Sequence, residues 1–93
     1  MNIGVLTVEL DIDDASSLKD KRMVLNRIRD RVRRRFNVAI AEVGDNEVWN
    51  HACLGVVAVS NQQRHVNQML SHVVEFIQTI RDCEVEDYTM EFI

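Results

Sequence analysis

Nine of the eleven lysines and arginines fall between Lys19 and Arg35, in a chain whose formal net charge is −4. Asp20 and Asp30 are the only acids in that segment, so it carries +7 while the remainder carries −11. Seven of the nine cations are arginines, whose planar fork suits bidentate phosphate contact better than a point charge does. Arg31, Arg33, Arg34 and Arg35 crowd about one helical turn, where like charges repel and a nearby anion would relieve the cost. This makes Lys19, Arg22, Arg27, Arg31, Arg33, Arg34 and Arg35 candidate nucleic-acid-binding residues, with Arg27, Arg31 and Arg34 at their centre. Two other readings stay open: an acidic protein surface as partner, and a solvated helix face.

The other residues that could do chemistry form no site in the sequence. His65 and His72 are seven apart on one helix flank, about 10 Å along the axis and too far to share a metal. His51 stands alone near a hairpin, and no thiol or carboxylate completes a ligand set, so neither metal nor cofactor is expected. Cys53 and Cys83 lack a CxxC pattern and read as buried thiols. Ser16, Ser17 and Ser60 read as turn and cap residues, Asp13 and Asp14 as an exposed turn, and no glycine-rich phosphate loop exists. The chain is therefore expected not to be an enzyme, unless a site is assembled at an interface between copies. Trp49 at the mouth of a hairpin reads as a lid on the core or as a partner contact.

Ninety-three residues, 46% of them hydrophobic, suffice for one domain with a single two-layer core spanning residues 1–93. There is no proline, glycine is rare, and no linker or repeat of solenoid length interrupts the pattern. No run approaches the roughly 20 apolar residues that cross a bilayer, and the start of the chain has no basic leader. A cytoplasmic protein with no membrane partner is expected.

The elements that would position the cations follow from periodicity. Asn2 to Ile12 alternates, with Gly4, Leu6, Val8, Leu10 and Ile12 on one side, which predicts a strand. Ser17 and Asp20 form a carboxylate variant of the capping box. In the helix that follows, Leu18, Leu25, Ile28, Val32 and Phe36 share an arc of about 80°. Lys21 projects beside this apolar stripe, where its stem lies on the sheet and its ammonium reaches water or an acidic neighbour. Asn37–Val43 and Val48–Ser60 predict a hairpin around Gly44–Glu47. Ser60 with Gln63 suggests a second capping box before a helix reaching Arg81, and Cys83–Ile93 alternates again. The order β-α-β-β-α-β predicts an α+β ferredoxin-like sandwich, its antiparallel sheet in the order 4-1-3-2 with both helices on one face.

The other sheet face then presents Ile3, Val5 and Thr7 beside acids, and its apolar part invites a twofold homodimer. It lacks the paired aromatic rings on which sheet-based binders stack bases, so any RNA is expected along the first helix, through backbone phosphates.

Several segments together resemble the YlxP-like family of small bacterial proteins of unknown function. They are Ile3-Gly-Val-Leu-Thr-Val-Glu-Leu10, Ser17-Leu-Lys-Asp-Lys-Arg22, Arg34-Arg-Phe-Asn-Val38, Ala41-Glu-Val-Gly44, Leu54-Gly55 and Val59-Ser-Asn61. The resemblance implies a ferredoxin-like domain with no established enzymatic activity. Family members are often encoded among translation and ribosome-maturation genes, which implies ribosomal RNA or a ribonucleoprotein as partner. The family commonly has a proline after the first strand, where this chain has Asp13. The resemblance carries over no functional residues.

Overall fold

The computed structural model describes residues 1–93. Its elements are β1 (Asn2–Asp11), α1 (Leu18–Arg35), β2 (Ala39–Gly44), β3 (His51–Ser60), α2 (Gln63–Gln78) and β4 (Glu84–Phe92). The strands form one antiparallel sheet in the order β2-β3-β1-β4. This is the expected ferredoxin-like arrangement, and both helices cover the same sheet face.

Period-two alternation places Leu6, Val8 and Leu10 of β1 on that face, all fully buried with Leu54 and Val56 of β3. Leu25, Ile28 and Val32 of α1 and Val66, Leu70, Val73 and Ile77 of α2 close the layer above them. Gly4 is required where α2 comes closest, because a Cβ there would lie 2.4 Å from a Val66 methyl and 2.8 Å from Leu70 Cδ1.

Helix α1 begins as its sequence predicts, with one change in the cap. The Ser17 hydroxyl accepts from the Asp20 N–H at 3.1 Å, but Asp20 reaches back to Ser16, accepting from its N–H and its hydroxyl. The second capping box does not form. Gln62 is the N-cap of α2 without a side-chain bond, and the Ser60 hydroxyl accepts from the Gln62 N–H at 3.3 Å. Helix α2 stops at Gln78 rather than Arg81, where the Thr79 hydroxyl donates to the Phe76 carbonyl at 2.7 Å. Strand β3 starts at His51 rather than Val48, because the Val48 carbonyl is held by Lys21 instead of a neighbouring strand.

Lys21 is the one buried charged residue, 1% exposed. Its ammonium donates to the Asp45 and Val48 carbonyls, each at 2.6 Å, and pairs with the Glu42 carboxylate at 2.8 Å. All three protons are thereby used, and α1 is tied to the end of β2 and to the turn after it. Asp45 sits in that turn at φ 57, a left-handed conformation that aspartate tolerates better than most residues.

Candidate nucleic-acid interface

Helix α1 runs for 18 residues, about 27 Å at the helical rise. One of its flanks lies beside β2 and the other beside α2. Asp20 in the first turn and Arg33, Arg34 and Arg35 in the last match the polarity of the helix dipole. Part of the basic crowding is therefore an ordinary helix ending.

The seven expected phosphate ligands separate into two groups. Arg27 is engaged from within: its guanidinium pairs with Asp82 at 2.8 Å, where the chain turns at φ 69 after α2. Arg33 donates to the Ile40 carbonyl at 3.2 Å, covering the edge strand β2, and an occupied edge resists pairing with another chain. Arg35 lies over the Phe76 ring, 5.0 Å from its centroid, and Phe36 meets that ring edge-on at 5.7 Å. Arg29, outside the expected set, donates to the Asn26 side chain. Lys19, Arg22, Arg31 and Arg34 are exposed and make no ion pair or side-chain hydrogen bond within the chain. The cations without an internal partner thus fall in two pairs, one towards each end of the helix, while Arg27, also exposed, is paired with Asp82.

Two open clefts border α1, the first at its start beside the preceding turn and Asp82, the second between its end and α2. One, of about 480 Å³, includes Asp20, Met23, Arg27 and Asp82 in its lining. The other, of about 560 Å³, includes Arg35, His72, Glu75 and Phe76.

At the end of the molecule where β1 finishes and β4 begins, folding gathers acids that look unrelated in the sequence. Asp11, Asp13 and Glu84 bring carboxylate oxygens within 4.8 Å of one another. A hydrogen bond shared with Asp11, reinforced by that residue's charge, holds the Asp13 carboxyl above the usual aspartate value. Nearby, His51 Nδ1 lies 2.7 Å from Asp45 and Nε2 lies 3.3 Å from Glu86. The three contributors come from β3, the turn before it and β4, so no local spacing announces the cluster. Asp20 is held below the usual value by hydrogen bonds from the Ser16 N–H and hydroxyl.

Ile3, Val5 and Thr7 lie half-buried on the sheet face away from the helices. Trp49 does not cover the core: it is 52% exposed in the turn before β3, because Lys21 fixes that turn outside the sheet. Cys53 and Cys83 are half-buried and unpaired. Burial pushes the Cys83 thiol up, and it rests on the Ile77 and Ile80 carbonyls. No helix is long and apolar enough to cross a membrane.

A family model described as "Protein of unknown function (DUF503)" matches residues 3–90. The uncharacterized protein YlxP of Bacillus subtilis strain 168 is 40% identical over 82 residues, covering 88% of this chain and 89% of its own. A de novo designed protein with a ferredoxin fold, LFR1 1, solved by solution NMR, superposes over 100% of this chain and 83% of its own. Its TM-score is 0.56 and its identity 12%, a likeness of fold alone.

Proposed function

The chain belongs to the DUF503 family of proteins of unknown function, and we propose that it is a non-enzymatic binding domain that docks on structured RNA, alone or within a ribonucleoprotein, through α1. The single observation that carries this reading is the set of four unpartnered cations, Lys19, Arg22, Arg31 and Arg34, on one solvent-facing helix. The midpoints of the two pairs are about 18 Å apart along the axis. Two clusters at that separation engage separate phosphates, so the contact positions the domain on a backbone and reads shape more than base identity.

Arg27, Arg33 and Arg35 supply positive potential while holding the helix in place. The crowding of α1 fits an anionic partner because its own acids, Asp20 and Asp30, leave a large excess of positive charge. The acidic remainder of the chain keeps a polyanion away from the other surfaces and so orients the approach.

The test is binding of fluorescein-labelled RNA, both a single strand and a duplex of about 16 base pairs, with cosedimentation on purified bacterial ribosomes as the second readout. Replacing Lys19, Arg22, Arg31 and Arg34 together by glutamate abolishes binding while the far-ultraviolet circular dichroism stays unchanged. Equal binding by this variant and the unsubstituted protein would contradict the proposal.

A further inference from the structure

The sheet face opposite the helices has no cover. The strand registers place Ile3 beside Val59, Val5 beside Val57 and Thr7 beside Gly55 on that face. Val43 of β2 lies over Gly55, where a Cβ would meet a Val43 methyl at 2.9 Å. Val43 and Val59 are each 59% exposed and Val57 is 40% exposed, so β3 and its neighbours form a continuous apolar strip. Acids border it. Thr7 pairs with Thr89, Val5 with Glu91 and Glu9 with Asp87, and Glu86 reaches the same face at His51. None of the four strands contains a lysine or arginine.

We propose that this face docks a basic amphipathic helix of a partner protein, laid along the strands over β3 and β1. Such a helix has an apolar stripe for Val5, Val57 and Val59, and a row of cations on one flank for Glu9, Asp87 and Glu91. It would give the sheet the second helical layer that an apolar face ordinarily acquires. Charge complementarity selects this occupant. A second copy pairing through Ile3, Val5 and Thr7 brings no cation to answer the carboxylates, since this face has none. RNA is repelled by the same carboxylates, and the face offers no rings to stack on: Tyr88 and Phe92 pair with Val8 and Gly4, on the helix side of the sheet. The proposal stands apart from the reading of α1, because the two surfaces lie on opposite sides of the domain.

The probe is a synthetic peptide of about 18 residues, five helical turns, with leucine at i, i+3, i+4 and i+7 and lysine elsewhere. It is titrated into 15N-labelled protein, and the control peptide carries glutamate in place of lysine. Amide shifts at Val5, Val57, Val59 and Glu91, with binding at least about tenfold tighter than the control, support the proposal. The Asp87→Lys/Glu91→Lys double variant loses about tenfold in affinity for the lysine peptide. The Val57→Ser variant loses binding through the strip, and both variants keep the fold because they change only exposed side chains. Shifts confined to α1 or α2, equal binding of the two peptides, or an unchanged affinity in both variants would overturn it. So would a dimer at micromolar concentration that Val57→Glu converts to a monomer, which would assign the face to a second copy.

Discussion

Lys21 shows how a single side chain can be half legible. Its helical phase puts it beside the stripe of Leu25, Ile28 and Val32, and its burial follows from that. Its partners do not, because Asp45 and Val48 lie 24 and 27 residues away, and no local spacing records a contact made by folding. Removing one partner from a buried charged cluster leaves the others unsatisfied. Lys21→Met is therefore expected to cost about 3 kcal/mol in urea unfolding, within the usual range for a broken buried pair. The turn carrying Trp49 loosens with it, so the indole fluorescence changes in the folded variant. Gly4→Ala is a second test at this scale. The added methyl collides with Val66 and Leu70, and overpacking of this kind costs about 1–3 kcal/mol. Asp20 gives a pH dependence. Its carboxyl is held below the ordinary value of 3.8 by Ser16, so the folded state gains stability above that value and loses it as pH falls through the depressed one. Asp13 runs the other way, since a raised carboxyl makes ionisation costly to the fold as pH rises. Asp20→Asn should lower stability at neutral pH and flatten the acid limb of the unfolding curve, while Asp13→Asn should leave neutral stability equal or higher.

At the scale of elements, β1, α1 and the sheet order were readable because periods of two and 3.6 decide which residues face the core. The start of α2 departs from its sequence signal for a physical reason: Ser60 is a good cap by type, but Gln62 occupies the cap position, and the Ser60 hydroxyl, two residues earlier, accepts from the Gln62 N–H instead of from the first turn. The basic helix was legible as an element, whereas the division of its cations was not. Arg27 pairs with Asp82, 55 residues away, and Arg35 with Phe76 on the other helix. That division makes a prediction about α1. Arg27→Gln should weaken thermal stability through the lost Asp82 pair, though by less than about 1 kcal/mol because both partners are exposed, and should leave RNA affinity nearly unchanged. Arg31→Gln and Arg34→Gln should do the reverse, with little effect on the melting temperature and weaker binding of the RNA duplex. The helix dipole already accounts for basic residues in the last turn. Lys19 and Arg22, at the opposite end, are the pair it does not explain.

The whole molecule, 42 Å long and 21 by 17 Å across, separates its charge by face. Cations sit on α1, while carboxylates line the open sheet face and the end where β1 meets β4. A domain of this kind can sit between a polyanion and a basic protein, which is the pairing of chemistries that a ribonucleoprotein surface offers. Composition reveals the imbalance, with +7 in one segment against −11 elsewhere. Only the folded chain shows that Glu9, Asp87 and Glu91 share the sheet face away from α1, and that Asp11, Asp13 and Glu84 converge. The most direct test of the central claim is the salt dependence of duplex RNA affinity for the unsubstituted protein and for the Lys19, Arg22, Arg31 and Arg34 glutamate variant. With four phosphates engaged, the logarithm of affinity should fall with that of salt at a slope of about −3.6, and the variant should show no measurable binding at any salt. A slope near zero, or binding by the variant equal to that of the parent, would contradict the account.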